Sequence, residues 1–214
     1  MKILLSLMLL FITTFSFAKT IEIGPSDSLQ EAINNAKSGD TILLKPGTYE
    51  SKTAFNIEGK ENLTITGDAE NSEGDVWIIV DDVNESVINI SKKSKSIFIR
   101  DIKARHKKPL KEYACNGAVI RINDSTGVKI MGCELNGCGA MGVEMADAKK
   151  IFISGCYIHK NSWTAFYIYN SSNIKITYNK IENNKSFIDL NKVSQFEMWG
   201  NQIKNNEGYY SEKE

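Results

Sequence analysis

Ile151-Phe152-Ile153-Ser154-Gly155-Cys156-Tyr157-Ile158 returns 23 residues later as Ile174-Lys175-Ile176-Thr177-Tyr178-Asn179-Lys180-Ile181. Both copies place apolar residues at the first, third and eighth positions, the two-residue alternation of an extended chain, followed by a corner and a second short strand. Extending the alignment puts Ile97/Ile99, Val128/Ile130, Ile151/Ile153, Ile174/Ile176 and Phe196/Met198 in one column, at offsets of 31, 23, 23 and 22 residues. Ala104, Leu135, Ile158, Ile181 and Ile203 make a second column, preceded two residues earlier by Ile102, Cys133, Cys156, Asn179 and Asn201. Upstream of each stands a third pair: Ile88/Ile90, Ile120/Ile122, Val143/Met145, Phe166/Ile168 and Ile188/Leu190. Only the two asparagines break the apolar character of these columns, in a chain that is 42% hydrophobic.

Three short strands per repeat, with β-branched residues alternating throughout, predict an all-β parallel solenoid with coils of about 22–23 residues. Successive coils stack at about 4.8 Å, so equivalent residues lie like on like along the axis. A leucine-rich repeat has a similar period but demands a leucine and asparagine consensus or a helix between strands, and neither is present. Gly132, Gly155, Tyr178 and Gly200 share one position, where a sharp corner needs positive φ. Asn179 and Asn201 follow it, with amides placed to bond to each other and to the turn backbone.

The length of 214 residues allows one domain. Lys and Arg total 26 against 26 Asp and Glu, so no overall basic field exists to coat a polyanion, and no nucleic-acid partner is expected. Lys2, the apolar run Ile3 to Ile12, and small residues at Ser16 and Ala18 read as an export leader cleaved after Ala18. The run is about half of what a spanning helix needs, so no membrane span is expected in the mature chain. The product is expected to be secreted or periplasmic, where Cys115, Cys133, Cys138 and Cys156 meet oxidising conditions. The expected division is a leader over 1–18, an N-terminal cap over 19–60, coils over 61–207 and a tail over 208–214.

In the cap, Ser28-Leu29-Gln30-Glu31 is a capping box, and Leu29, Ile33 and Ala36 follow at helical spacing until Gly39-Asp40. The apolar face of this short helix suits it to cover the open end of the solenoid. Ser28-Leu29-Gln30-Glu31-Ala32-Ile33, Ser38-Gly39-Asp40-Thr41-Ile42 and Pro46-Gly47-Thr48-Tyr49 resemble the cap of pectin-lyase-like right-handed parallel β-helix proteins. The coils, such as Asn173-Ile174-Lys175-Ile176-Thr177-Tyr178-Asn179-Lys180-Ile181, are similar to that superfamily's repeat, and the resemblance covers essentially the whole mature chain. It implies a right-handed, single-stranded parallel β-helix. It leaves the chemistry open, because the superfamily holds polysaccharide lyases, glycoside hydrolases, epimerases and members without known activity.

The residues flanking the inward columns face outward. One face carries Arg121, Glu144, Tyr167 and Asp189, a second Lys129, Phe152, Lys175 and Glu197, and a third Lys103, Glu134, Tyr157, Lys180 and Gln202. The offset of 31 implies an insertion around Arg105 to Ala114, expected to be a loop in which Arg105, His106, Lys107, Lys108 and Lys111 concentrate positive charge. Such a loop is either a cationic wall for an acidic polysaccharide or a solvated charge cluster. His159 projects outward on the same side as a candidate proton acceptor or an inert exposed imidazole. Tyr167 and Tyr169 stack on sugars or on each other. Arg121 and Glu144, one coil apart, are expected to form a surface ion pair.

Cys115 and Cys138 stack one coil apart beside the insertion, where a disulfide would pin the loop, while Cys133 and Cys156 fall in an inward column as buried thiols. No metal site is expected from these four, because the pairs face different ways. No outward column sets carboxylates side by side for metal-assisted elimination or two-carboxylate hydrolysis. The expectation is therefore an exported protein that binds an acidic or cell-surface polysaccharide without turnover. The alternatives are a lyase that eliminates across uronates, in which case calcium would be its cofactor, and a non-catalytic envelope scaffold. No obvious capping helix follows Ile203, so either Tyr209 and Tyr210 fold over the last coil or a second subunit covers it.

Overall fold

The computed structural model describes residues 18–69, 74–108, 116–137, 140–208 and 211–213, the last three as backbone. Residues 1–17 of the leader, Lys111, Cys115, Cys138, Tyr209 and Tyr210 lie outside the described residues, and with them the expectations placed there.

Three parallel sheets run the length of the molecule, and every coil contributes one strand to each in turn. Sheet A holds Thr20–Ile23, Thr41–Leu44, Glu61–Gly67, Lys95–Arg100, Lys129–Met131, Lys149–Ser154, Ser172–Thr177 and Ser194–Trp199. Sheet B holds Gly47–Ser51, Val76–Val80, Lys103–His106, Glu134–Asn136, Tyr157–His159, Lys180–Glu182 and Gln202–Lys204. Sheet C holds Phe55–Glu58, Ile88–Ser91, Ala118–Asn123, Met141–Ala146, Thr164–Tyr169, Ser186–Asn191 and Ser211–Lys213. The chain is a right-handed parallel β-helix. Among the described residues no helix is long and apolar enough to cross a membrane.

The register is that of the sequence columns. Ile130 pairs with Ile99 and Ile153, Leu135 with Ala104 and Ile158, and Val143 with Ile120 and Phe166. These side chains form one continuous core, most of them fully shielded from solvent. The columns also begin earlier than Ile88. Ile42, Ile65, Tyr49, Ile78, Phe55 and Ile57 are buried in the same core, so the strands of the expected cap already complete a coil. Leu63 pairs with Ile97, an offset of 34, so the 31-residue interval is not the only break in period.

Corners are made by left-handed residues at equivalent places. Between sheets A and B stand Asp101, Gly132, Gly155, Tyr178 and Gly200, with φ from +55° to +69°. Tyr178 keeps this conformation without a glycine, and a Cβ on Gly200 would come within 2.8 Å of its ring. Asparagine ladders close the adjacent turns. Asn179 Nδ2 donates to Asn201 Oδ1 at 3.0 Å and to the Ile153 carbonyl at 3.0 Å. A second ladder at the B–C corner was not foreseen: Asn161 Nδ2 donates to Asn184 Oδ1 at 2.8 Å, and Asn184 Nδ2 to Asn206 Oδ1 at 2.9 Å. Its signal was present in the 23- and 22-residue spacing of those three asparagines.

The helix Leu29–Asn35 covers the N-terminal end. Ser28 Oγ accepts from Glu31 N at 3.2 Å, and Leu29 and Ile33 turn into the core. At the other end the apolar columns run out into solvent, with Phe196 and Met198 half-buried and Ile203 and Trp199 exposed.

Asn184 accepts from the Asn161 backbone and side chain and donates to Ile158 O and Asn206 Oδ1, so its removal strands several buried groups. Asn184→Ala is expected to cost about 2–3 kcal/mol in urea unfolding, whereas Lys185→Ala, on an exposed side chain, is expected to be near neutral. Equal unfolding midpoints for the two variants would show that the ladder contributes no stability.

Candidate functional site

Chemically varied side chains gather on the outer face of sheet B. Strand alternation places Trp77, Lys103, Glu134, Tyr157 and Lys180 in one outward column and Arg105, Asn136, His159 and Glu182 in the next. Lys103 Nζ lies 5.5 Å and Arg105 Cζ 5.3 Å from the Trp77 ring centroid, within cation–π range. Lys180 Nζ sits 4.3 Å from the Tyr157 centroid.

Two diagonal contacts cross the column. Glu134 Oε1 receives His159 Nε2 at 3.2 Å, and Tyr157 donates its hydroxyl to Glu182 Oε1 at 2.5 Å. The Tyr157 and His159 rings stack between the two carboxylates, 3.8 Å apart and 12° from parallel. Lys103 bridges Asp75 at 2.9 Å and Glu134 at 3.2 Å, and Lys180 holds Glu182 at 2.7 Å.

Burial raises the Glu134 carboxyl, but hydrogen bonds from Lys103, His159 and Asn136 outweigh it and hold the group below its ordinary value. Lys180, then Tyr157, lower Glu182, and Glu182 in turn raises Tyr157. Burial depresses His159, with Glu134 opposing. The imidazole is therefore neutral at pH 7, and it carries its proton on Nε2, because the facing carboxylate can only accept. Its Nδ1 is buried without a partner.

The basic run is not a loop throughout. Arg105 and His106 end the strand Lys103–His106, paired with Ile79 and Val80. Since Ala104 faces inward, His106 two residues on does so too. It is fully buried with Nε2 donating to Glu85 O at 2.8 Å, so it cannot belong to an exposed wall. Burial lowers its pKa. Lys107 is exposed but paired with Glu50 at 2.8 Å, and Lys108 is exposed. His159 lies in the outward column as expected yet is only 5% exposed, because Tyr157 and Glu134 cover it.

Tyr167 and Tyr169 lie on sheet C, a different face. Tyr167 packs on Trp163 at 5.2 Å, and Lys192 Nζ approaches the Tyr169 ring at 5.7 Å. Their strand partners are Glu144, Asp189, Ala146 and Asn191, so no aromatic ladder runs between coils there. Arg121 and Glu144 form the expected ion pair at 2.6 Å.

A cavity of about 400 Å³ opens at the A–B corner beside sheet B, lined by Asp68, Asp75, Asp101, Lys103, Glu134 and Tyr157 among others. A larger groove of about 530 Å³ follows the C–A corner past Lys93, Asp124, Lys149 and Lys192. Its buried Ser125 and Ser171 hydroxyls are spent on the carbonyls of Asn123 and Tyr169, so the sheet B face is the better candidate. Among the described residues no three His, Cys, Asp or Glu side chains converge as metal ligands.

The family described as "right handed beta helix region" matches residues 88–212. No curated protein matches the chain. Among solved structures, ORF18 of Geobacillus virus E2 superposes with a TM-score of 0.61 at 15% identity, over 87% of this chain and 41% of that one. A candidate glycosyl hydrolase from Parabacteroides merdae gives 0.59 at 13%, over 91% and 98%. The cedar pollen allergen jun a 1 gives 0.52 at 9%, over 90% and 79%. At such identities the likeness is one of fold. The chain spans about two fifths of the viral protein's length.

A histidine held neutral by burial leaves the unfolded chain to take up the proton first. Stability is therefore whole above pH 6.5, the ordinary value, and falls as pH drops below it toward the depressed folded value. The lowered Glu134 adds a further loss below pH 4.5. Urea unfolding between pH 7.5 and 5.5 should show a declining midpoint for the native protein and a shallower decline for His159→Gln, the remainder coming from His106. An unchanged slope would mean that His159 titrates as a solvated imidazole.

Proposed function

The chain belongs to the right-handed β-helix family, and on that footing we propose that it binds an acidic polysaccharide lying along the outer face of sheet B, without cleaving it. The observation that carries this reading is the succession of rings and cations up the face: Trp77 under Lys103 and, from the neighbouring column, Arg105, then Tyr157 under Lys180. Aromatic rings offer flat apolar surface to sugar C–H faces, and Arg105, whose Nε has no hydrogen-bond partner within the chain, can pair with a uronate carboxylate. Because the coils space the column at about 4.8 Å, a linear polymer laid parallel to the axis would cross Trp77, Lys103, Tyr157 and Lys180 in turn. The exposed Lys108 extends the positive edge. The description of the Parabacteroides neighbour as a candidate glycosyl hydrolase agrees with a saccharide ligand.

Absence of turnover is proposed because the acid and base candidates are occupied within the face. Glu134 is engaged by Lys103, His159 and Asn136, and Glu182 by Lys180 and Tyr157. General acid–base work needs such a group within reach of substrate. Export, proposed on the leader-like stretch from Lys2 to Ala18, places this surface where envelope and extracellular polysaccharides occur.

Affinity electrophoresis through gels containing alginate, pectate or neutral dextran tests the proposal. Retardation by at least one acidic polymer, relieved by salt and weakened roughly 10-fold (about 1.4 kcal/mol) by Trp77→Ala or Tyr157→Ala, is expected. Free migration in every acidic gel overturns the reading. Growth of the ultraviolet absorbance of an unsaturated uronate would assign the chain to elimination chemistry instead.

A further inference from the structure

Cys133 and Cys156 stand in the inward column at the A–B corner, on successive coils, and each is 2% exposed. The next residues, Glu134 and Tyr157, are direct partners in sheet B, so the two cysteines lie one above the other. Neighbouring strands are about 4.8 Å apart, inside the range of about 4.4–6.8 Å between the α-carbons of a disulfide. Below Cys133 the column holds Ile102, and above Cys156 it holds Asn179, whose Oδ1 accepts from Cys156 N at 2.9 Å. The thiols thus continue the asparagine ladder by one rung each. Cys133 Sγ reaches the Met131 carbonyl at 3.3 Å, and Cys156 Sγ reaches those of Ser154 at 3.5 Å and Ile130 at 3.6 Å. Sulfur is a weak donor, so giving up these contacts costs little.

The pair also borders a cavity at its corner. Gly132 and Gly155, immediately before the cysteines, adopt φ of +61° and +65°, and both are exposed. Both line the cavity of about 400 Å³ together with Cys133, and Asp101 Oδ1 lies 2.7 Å from where a Cβ on Gly132 would stand.

We propose that Cys133 and Cys156 are a cross-linking site, where a disulfide-bearing oxidant of the glutathione type converts the stacked thiols into a bond joining two coils. One cysteine thiolate attacks a sulfur of the oxidant and expels a thiolate. The second attacks the protein sulfur of that mixed disulfide and expels the other. Two thiols of the protein are oxidised, the oxidant is reduced to two thiols, and the two protons released pass to them. The attacking species is the thiolate, so the reaction quickens as pH rises.

The test uses the full chain, reduced and then incubated with oxidised glutathione at pH 8 under native conditions. Expected are a Cys133–Cys156 linked peptide in non-reducing mass mapping and a Tm raised by roughly 6–12 °C and reversed by dithiothreitol. The Cys115→Ser/Cys138→Ser variant should keep both effects, which separates this pair from any bridge among the other cysteines. Cys156→Ser should lose both. Alkylation of Cys133 and Cys156 as free thiols after unfolding of the treated protein would refute the site. So would their recovery only as glutathione adducts, or linked only to Cys115 or Cys138.

Discussion

Parallel pairing in strict register between neighbouring coils is the constraint from which the rest of this molecule follows. Once Ile130 is bonded between Ile99 and Ile153, each residue in the coil is committed to the one a turn before and a turn after it. Inside, that commitment stacks isoleucine on isoleucine and leaves a core with few choices of volume. At corners it stacks amide on amide, which turns a buried polar group into a satisfied one, as along Asn161, Asn184 and Asn206.

The same constraint acts on the surface, where like charges placed on successive coils would repel. The columns alternate instead. Arg121 meets Glu144, Lys103 meets Glu134 and Lys175 meets Glu197, each pair one coil apart. On sheet B the alternation also runs diagonally, so that Glu134 engages His159 and Tyr157 engages Glu182. Corners are where the chain can depart from the period without disturbing a column. The extra residues between sheets B and C, from Asp81 to Val87 and after Lys107, do so while Ile88, Ile120 and Val143 hold register behind them.

The sheets, the inward columns and the positive-φ corners were legible in the sequence because they obey the two-residue and coil periods at once. The coil of Ile42, Tyr49 and Ile57 falls within the expected cap, because no preceding copy exists to align it with, although its residues carry the same alternation. His106 was misread for a different reason. Its basic neighbours suggested a loop, while its spacing from Ala104 already pointed it inward. Of the sheet B site, the membership of the column was readable, but the Tyr157–His159 stack and the cations over Trp77 were not. They depend on rotamers chosen among neighbours on three or more coils.

Sequence alone determined the architecture, the outward and inward faces and the stacking of Cys133 near Cys156, since each rests on position within a repeat. Tertiary structure decided which outward groups remain available. Glu134 and Glu182 are engaged by neighbouring coils, and His159 is covered, because residues 23 to 34 apart come to lie within one strand spacing. Periodicity specifies which residues are neighbours. Only the packed surface specifies how their side chains share hydrogen bonds, charge and solvent.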